Sequence, residues 1–295
     1  MTIRSALEEF AASHPDHVAQ VFCRGQGWVR RTYGEFLADV KATAEAYGSK
    51  FGLKPREENV AQILPNCPEW MDVYLACSGA GVSVVPLDPK LHNEEVAYIL
   101  RDSGAVVVTT DKAHIPMLQQ IAPGLPKLRA IVIVDGGAPS YAAIGSVPVY
   151  DFNELKRGAC QCGWYDSNVC AEDDVASVIY TSGTTGKPKG AMLTHANFTE
   201  DAKGGLAAFD EHIDDTDTFF VVLPLFHAFS FLGNFVLPIM LGSAVCFMRS
   251  LRTIPDDLRE LQPTLLLAVH CWSRRCTTRY RTSSRSRKPP LSSRR

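Results

Sequence analysis

Short runs of β-branched and apolar residues alternate with stretches of helical periodicity along most of this 295-residue chain, and that alternation limits the fold more than any other feature. Strands are expected at residues 18–23, 28–32, 60–64, 83–86, 106–109 and 131–134, with helices at 68–78, 93–102 and 112–121. Thr32-Tyr-Gly-Glu35 is a capping box, in which hydroxyl and carboxylate satisfy each other's free amides. It opens a helix running to about Lys50. Strands separated by helices pair in parallel rather than as hairpins. The expectation is an α/β fold with largely parallel sheets. Residues 136–150, rich in Gly, Pro and Ser, read as a loop, and a second alternating block runs from Val175 to about Val269.

Within that second block, residues 180–190 read Tyr-Thr-Ser-Gly-Thr-Thr-Gly-Lys-Pro-Lys-Gly. These eleven residues supply three glycines, five hydroxyls and two lysines. Glycines let the backbone turn tightly and bring its N–H groups to an anion. Hydroxyls and ammonium groups add donors and positive charge around the same oxygens. Residues 175–180 read as a buried strand, 191–194 follow the loop, and 195–209 read as a helix, so the loop hangs from strand ends. The composition is that of a triphosphate cradle. The Walker pattern GxxxxGK[ST] fails, because Thr occupies position 181 and Pro188 follows Gly186-Lys187. A dinucleotide GxGxxG reading fails on spacing.

The segment resembles the signature of the adenylate-forming superfamily, [YF]-T-S-G-[ST]-T-G-x-P-K-G, and meets every position. That superfamily includes acyl-CoA synthetases, luciferases and the adenylation domains of peptide synthetases. Arg31-Thr-Tyr-Gly-Glu-Phe36 is similar to its early T-Y-x-E-L box, and Ser78–Pro89 to its G-A-x-x-x-P-L-x-P run. The resemblance extends in order to about Val269. It implies the family's N-terminal domain, with stacked, largely parallel sheets and helices between them. It also implies that Thr181, Ser182, Gly183, Thr184, Thr185 and Lys189 hold the β- and γ-phosphates of ATP. Lys187, at the variable position, is expected to face solvent. Gly136-Gly-Ala-Pro139 looks like the family's adenine-binding box, but it precedes the phosphate loop instead of following it, and reads as a turn.

Leu223-Pro-Leu-Phe-His227 follows an expected strand at 218–222. On the residues alone, His227 reads better as a core histidine with a backbone partner. The resemblance assigns it to the acyl pocket beside the carboxylate to be activated, with Phe226, Phe229 and Phe231 as apolar wall. His195 reads as a helix-start residue. The implied reaction joins a small carboxylic acid to ATP, with Mg²⁺, as an acyl-adenylate, and then passes the acyl group to CoA. No CoA site is identifiable. Acyl-CoA synthetase acting on a fatty or related acid is preferred over luciferase-like or peptide-synthetase relatives, since no carrier-protein or condensation segment accompanies the loop.

No apolar run approaches the ~18 residues of a membrane span, and the start is an amphipathic helix bearing acids, so a soluble cytoplasmic protein is expected. Nine cysteines are scattered. Cys23, Cys67, Cys77 and Cys246 read as small core residues. Cys160, Cys162 and Cys170 lack an obvious fourth zinc ligand and read as free thiols.

The last 26 residues carry nine of the chain's 30 basic side chains and no acid, leaving 21 against 32 in the rest. Residues 1–269 are therefore expected to form the partial AMP-binding domain, and 270–295 a disordered basic tail. The family's Y-G-x-T-E segment, its later T-G-D aspartate, its hinge and its C-terminal domain are not found here, which argues for an inactive nucleotide-binding remnant. A basic arm for nucleic acid is the rival reading, but no folded nucleic-acid module accompanies it. A frameshift accounts for the abrupt change at 269. The codons of His270, Cys271 and Trp272, read from the third base of the Val269 codon, become NCA, YTG and YTG, and both YTG codons encode leucine. Sequencing the gene across codon 269 is expected to show a family-like continuation in the shifted frame; an intact frame with no such alternative contradicts it.

Overall fold

The computed structural model describes residues 1–136, 143–181, 187–208 and 213–268. The expected tail at 270–295, Gly137–Pro139 of the decoy box, and Ser182, Gly183, Thr184 and Thr185 of the loop lie outside the described residues. In chain order come α1 (Ile3–Ser13), the hairpin β1 (Val18–Arg24) and β2 (Gly27–Thr32), α2 (Tyr33–Phe51), β3 (Asn59–Ile63), α3 (Pro68–Ser78), β4 (Ser83–Leu87), α4 (Asn93–Ser103) and β5 (Val107–Thr110). A 3₁₀ turn at Lys112–His114 leads to α5 (Ile115–Ile121), β6 (Ala130–Ile133), β7 (Ala143–Ile144), β8 (Val147–Asp151), α6 (Phe152–Arg157) and α7 (Trp164–Ser167). The second block comprises β9 (Val175–Thr181), β10 (Lys189–Thr194), α8 (His195–Ala208), β11 (Thr218–Val221), α9 (Ala228–Phe231), a π-helical turn (Leu232–Val236), α10 (Leu237–Leu241), β12 (Ala244–Phe247) and α11 (Ile254–Leu261).

The strands form two sheets, ordered β11-β12-β1-β2 and β10-β9-β4-β3-β5-β6-β8-β7. Pairing is parallel except where β2, β10 and β7 meet their neighbours. Period-two alternation sends successive side chains to opposite faces. In β6, Ala130 and Val132 face a core between the sheets, while Ile131 and Ile133 face a second core covered by α4 and α5. In β11, Phe219 and Val221 point to the central core, while Phe220, and Val222 just after the strand, point toward α11. Strands buried on both faces read as continuous apolar runs, which is why they stood out in the sequence. The result is the α/β architecture expected, with helices α1, α2, α3 and α8 in the layer between the sheets.

Helix α2 begins as its capping box dictates. Thr32 Oγ1 accepts from the Glu35 amide at 3.2 Å, and the Glu35 carboxylate accepts from the Thr32 amide at 2.9 Å. Gly52, at φ 56°, ends it in the left-handed conformation that glycine adopts at little cost.

All eleven residues of α3 are buried, including Glu69 and Asp72. Buried carboxylates need partners. Arg24 meets Glu69, and Arg31 meets Asp72 through two bonds of 2.6 and 3.0 Å. Arg31 also donates to Asp39 of α2 at 2.9 Å and to Gln20 of β1, and its guanidinium lies 4.7 Å from the Phe36 ring centroid. Burial works to raise the Asp39 carboxyl pKa, but bonds from Lys156 and Arg31 outweigh it and hold it below the usual range. One guanidinium thus joins the four-stranded sheet to two central helices. This is a role for the first residue of the Arg31–Phe36 segment that its resemblance to the early T-Y-x-E-L box did not show.

The structure corrects the sequence reading at two places. Residues 136–150 are not all loop: β7 and β8 form there, and β8 pairs with β6. Pro148 masked the alternation of Val147, Val149 and Asp151, because proline is expected only near sheet edges. The helix expected at 112–121 starts as a 3₁₀ turn and becomes α-helical at Ile115. Near the end of the second block, Leu265 forms a parallel bridge to Phe219, on the outer edge of β11.

Two stability predictions follow from these contacts. Arg31→Met leaves the Asp72 charge buried without its partner and is expected to cost about 3–5 kcal/mol; adding Asp72→Leu should recover at least half in urea unfolding. His195, fully buried at the start of α8, has its pKa lowered, mainly by burial. It stays neutral in the fold while the unfolded chain takes up a proton below the ordinary histidine value of 6.5. Stability is therefore retained above that pH and lost as pH falls through it, by up to about 1.4 kcal/mol per pH unit. Comparing wild type and His195→Gln at pH 7.5 and 5.5 should show the smaller loss in the variant.

Candidate active site

The hairpin β9–β10 forms one edge of the eight-stranded sheet, with Thr181 opposite Lys189 and Tyr180 opposite Gly190. Side-chain bonds fix β9 on β4: Ser177 Oγ donates to the Val84 carbonyl at 3.1 Å, and Ser83 Oγ to the Val175 carbonyl at 2.8 Å. Thr181 and Lys189 are both exposed, so the hairpin presents a hydroxyl and an ammonium group side by side to solvent. That donor set fits phosphate oxygens.

Gly190 has a packing role. A Cβ built there would lie 2.8 Å from Val178 Cγ1 and 3.0 Å from Tyr180 Cζ, so the absence of a side chain lets the Tyr180 ring lie across β10. From there the Tyr180 hydroxyl donates to Asp102 Oδ2 at 2.6 Å. Burial and this carboxylate push the phenol pKa up, keeping it a proton donor. Lys187 is exposed as expected, but it is not simply solvated: its ammonium stands 5.8 Å from the Tyr98 ring centroid.

The segment after β11 is held by Asn66, which follows β3. Asn66 Nδ2 donates to the Leu223 carbonyl at 2.8 Å, and its Oδ1 accepts from the Leu225 amide at 2.9 Å. His227 is the exposed N-cap residue of α9, its ring 4.5 Å from that of Phe226. Phe229 is 58% exposed. Phe231 departs from the expected apolar wall. It is fully buried, packed on Trp70, Tyr74, Phe198 and Phe235. Its partner Phe235 lies one helical turn on, whereas Phe229 falls on the opposite face, so the period could have separated them.

Strands β9, β4 and β3 are adjacent and parallel, so Thr181 and Asn66 lie at the same, carboxyl, end of the sheet. Asn66 therefore ties the Leu223–His227 segment to the end from which the phosphate hairpin projects. Ligands of open α/β sheets bind outside strand carboxyl ends. No local pattern marks Asn66, Tyr98 or Asp102; the hydrogen-bond partners of Asn66 and Asp102 lie 78 to 159 residues away. His195 takes no part; its Nε2 lies 3.1 Å from the Ser78 carbonyl. A cleft of about 330 Å³ opens at the other end of the strands of the four-stranded sheet, beside Val18 and Thr218, lined by Asp16, Asp215 and Asp217 together with His17 and Arg30.

Of the cysteines, Cys77, Cys170 and Cys246 are buried, and Cys160 and Cys162 exposed. Cys162 Sγ lies 3.2 Å from Glu45 Oε2. Among the described residues no three metal-ligating side chains are grouped, and no helix is long and apolar enough to cross a membrane.

The crotonobetaine/carnitine–CoA ligase of Escherichia coli O139:H28 is 31% identical over 214 residues, which are 72% of this chain and 40% of that protein. The chain thus spans about 40% of the length of the curated relatives it matches. The anthranilate CoA ligase AuaEII, in complex with anthranoyl-AMP, superposes with a TM-score of 0.78 at 21% identity, covering 90% of this chain and 49% of that one. ATP-bound MatB from Rhodopseudomonas palustris gives 0.72 at 20% identity, covering 93% and 51%. These structures share the fold. The family model described as AMP-binding enzyme matches residues 7–293, and the chain belongs to that family.

Proposed function

We propose that these residues form the nucleotide-gripping part of an AMP-forming acyl-CoA ligase. Its overall reaction activates a fatty or related carboxylic acid with ATP and transfers the acyl group to CoA. The observation that carries this reading is the eleven-residue Tyr180–Gly190 signature, suspended at strand carboxyl ends with Thr181 and Lys189 exposed together. Similar proteins named as CoA ligases point the same way, for acids as different as carnitine and anthranilate. The acid of this chain is accordingly assigned only as a carboxylic acid, with fatty acids first to test.

In this reading a carboxylate oxygen attacks the α-phosphorus, and the bond to pyrophosphate breaks. Negative charge grows on the leaving oxygens, so the work of the protein is positioning and electrostatic stabilisation. Lys189 and Thr181 are assigned to meet that charge, with Ser182, Gly183, Thr184 and Thr185 assigned to the same phosphates. Mg²⁺ supplies additional charge neutralisation when it accompanies the nucleotide. His227, exposed beside Phe226 at the start of α9, is assigned to the acid, which it orients through a ring N–H. CoA is the expected acyl acceptor, with no site assigned among these residues. The family's later elements are not among these 295 residues, so the complete cycle is not assigned to them. We assign residues 1–269 to the partial domain and 270–295 to the out-of-frame tail.

Calorimetric titration with Mg·ATP tests the grip. Binding is expected in the wild type and is expected to weaken about ten- to a hundredfold in Lys189→Ala, as for loss of a charge-assisted contact of about 1.5–3 kcal/mol. ATP–pyrophosphate exchange with a panel of fatty acids is expected to be absent for the 295-residue chain. Clear carboxylate-dependent exchange would refute the assignment of a partial machinery, and equal affinity in Lys189→Ala would refute the grip.

A further inference from the structure

The two limbs of the phosphate hairpin are each held by the same helix face. Tyr98 and Asp102 are four residues apart in α4 and therefore neighbours on one face. Asp102 accepts the 2.6 Å bond from Tyr180, which ends the incoming limb one residue before Thr181. Tyr98 offers its ring to the Lys187 ammonium, on the outgoing limb two residues before Lys189. The contacts are independent in sequence and different in chemistry, a hydrogen bond and a cation–ring attraction. They lie one and two residues from Thr181 and Lys189, the exposed hydroxyl and ammonium group that face each other across the hairpin. Gly190 completes the arrangement by letting the Tyr180 ring lie flat enough on β10 to reach α4.

We propose that α4 is the positioning element of the nucleotide site, with Asp102 and Tyr98 fixing Tyr180 and Lys187 so that Thr181 and Lys189 meet the triphosphate at a set spacing. The inference rests on the phosphate-gripping reading above and extends it to residues outside the signature. It also gives Lys187 a task other than binding phosphate: its charge is engaged by Tyr98, on the helix rather than across the hairpin. Asp102 would repel a nearby polyphosphate if left free, and the bond from the Tyr180 hydroxyl holds its carboxylate at the helix. Neither Tyr98 nor Asp102 touches the reacting atoms in this account. Both act through the limbs.

The test uses the full chain and five variants: Tyr180→Phe, Asp102→Ala, the two combined, Tyr98→Phe and Tyr98→Leu. Mg·ATP affinity is measured by calorimetry, and amide hydrogen exchange is followed at Thr181 and Lys189 without nucleotide, with α2 amides as internal reference. Tyr180→Phe and Asp102→Ala are each expected to weaken Mg·ATP binding about fivefold, as for one net hydrogen bond, and the double variant no further than either alone. Tyr98→Leu should weaken it about two- to threefold and Tyr98→Phe should restore it, because the ring and not the hydroxyl carries the attraction. Limb exchange should accelerate in the same variants while α2 is unchanged. Unaltered affinity and unaltered limb exchange would overturn the proposal. If the wild type fails to bind Mg·ATP, the phosphate-gripping reading falls. The exchange data then decide the positioning claim separately: faster limb exchange in Asp102→Ala supports it, and unchanged exchange overturns it.

Discussion

A helix buried on every side has no water to solvate its charges, and α3 carries two of them. The pairing of Asp72 with Arg31, and of Glu69 with Arg24, is therefore the condition on which the layered structure rests. Both arginines come from the β1–β2 hairpin, so the four-stranded sheet is attached to the central helices by charge as well as by apolar contact. Such pairs contribute less through their own attraction than through the penalty for leaving either partner alone. They consequently fix one arrangement of sheet on helix. Arg4 does the same at the other end of α3, donating to the carbonyls of Gly79, Tyr165 and Asn168.

That fixed arrangement determines where the chemistry sits. Helix α3 connects β3 to β4, which pair in parallel, and the carboxyl ends of these strands set the level of the candidate site. Asn66 converts the end of β3 into a bracket for the segment carrying His227. The serines of β4 and β9 do the same for the phosphate hairpin. The proposed grip is thus a short, exposed, charged feature mounted on a rigid frame, the usual division of labour between loops and scaffold.

How much of this was legible follows from the range of each interaction. The capping box of α2, the strands buried on both faces and the boundaries of α3 depend on neighbours in sequence, and local pattern revealed them. The hairpin at Ala143–Asp151 did not stand out, because Pro148 contradicted a strand whose alternation was otherwise complete. The signature residues announced phosphate chemistry by composition. Their supports could not be read, since Tyr180 finds Asp102 across 78 residues and Asn66 finds Leu225 across 159. Phe231 shows an intermediate case: its burial beside Phe235 follows the helical period, while the resemblance alone had grouped it with exposed Phe229.

The proposed grip requires the triphosphate to lie at the open end of the β9–β10 hairpin. A crystal structure with the magnesium complex of a non-hydrolysable ATP analogue tests it most directly. Phosphate oxygens are expected within hydrogen-bond distance of Thr181 and Lys189, at the strand carboxyl ends. Phosphates bound elsewhere, with both side chains free of them, would contradict it.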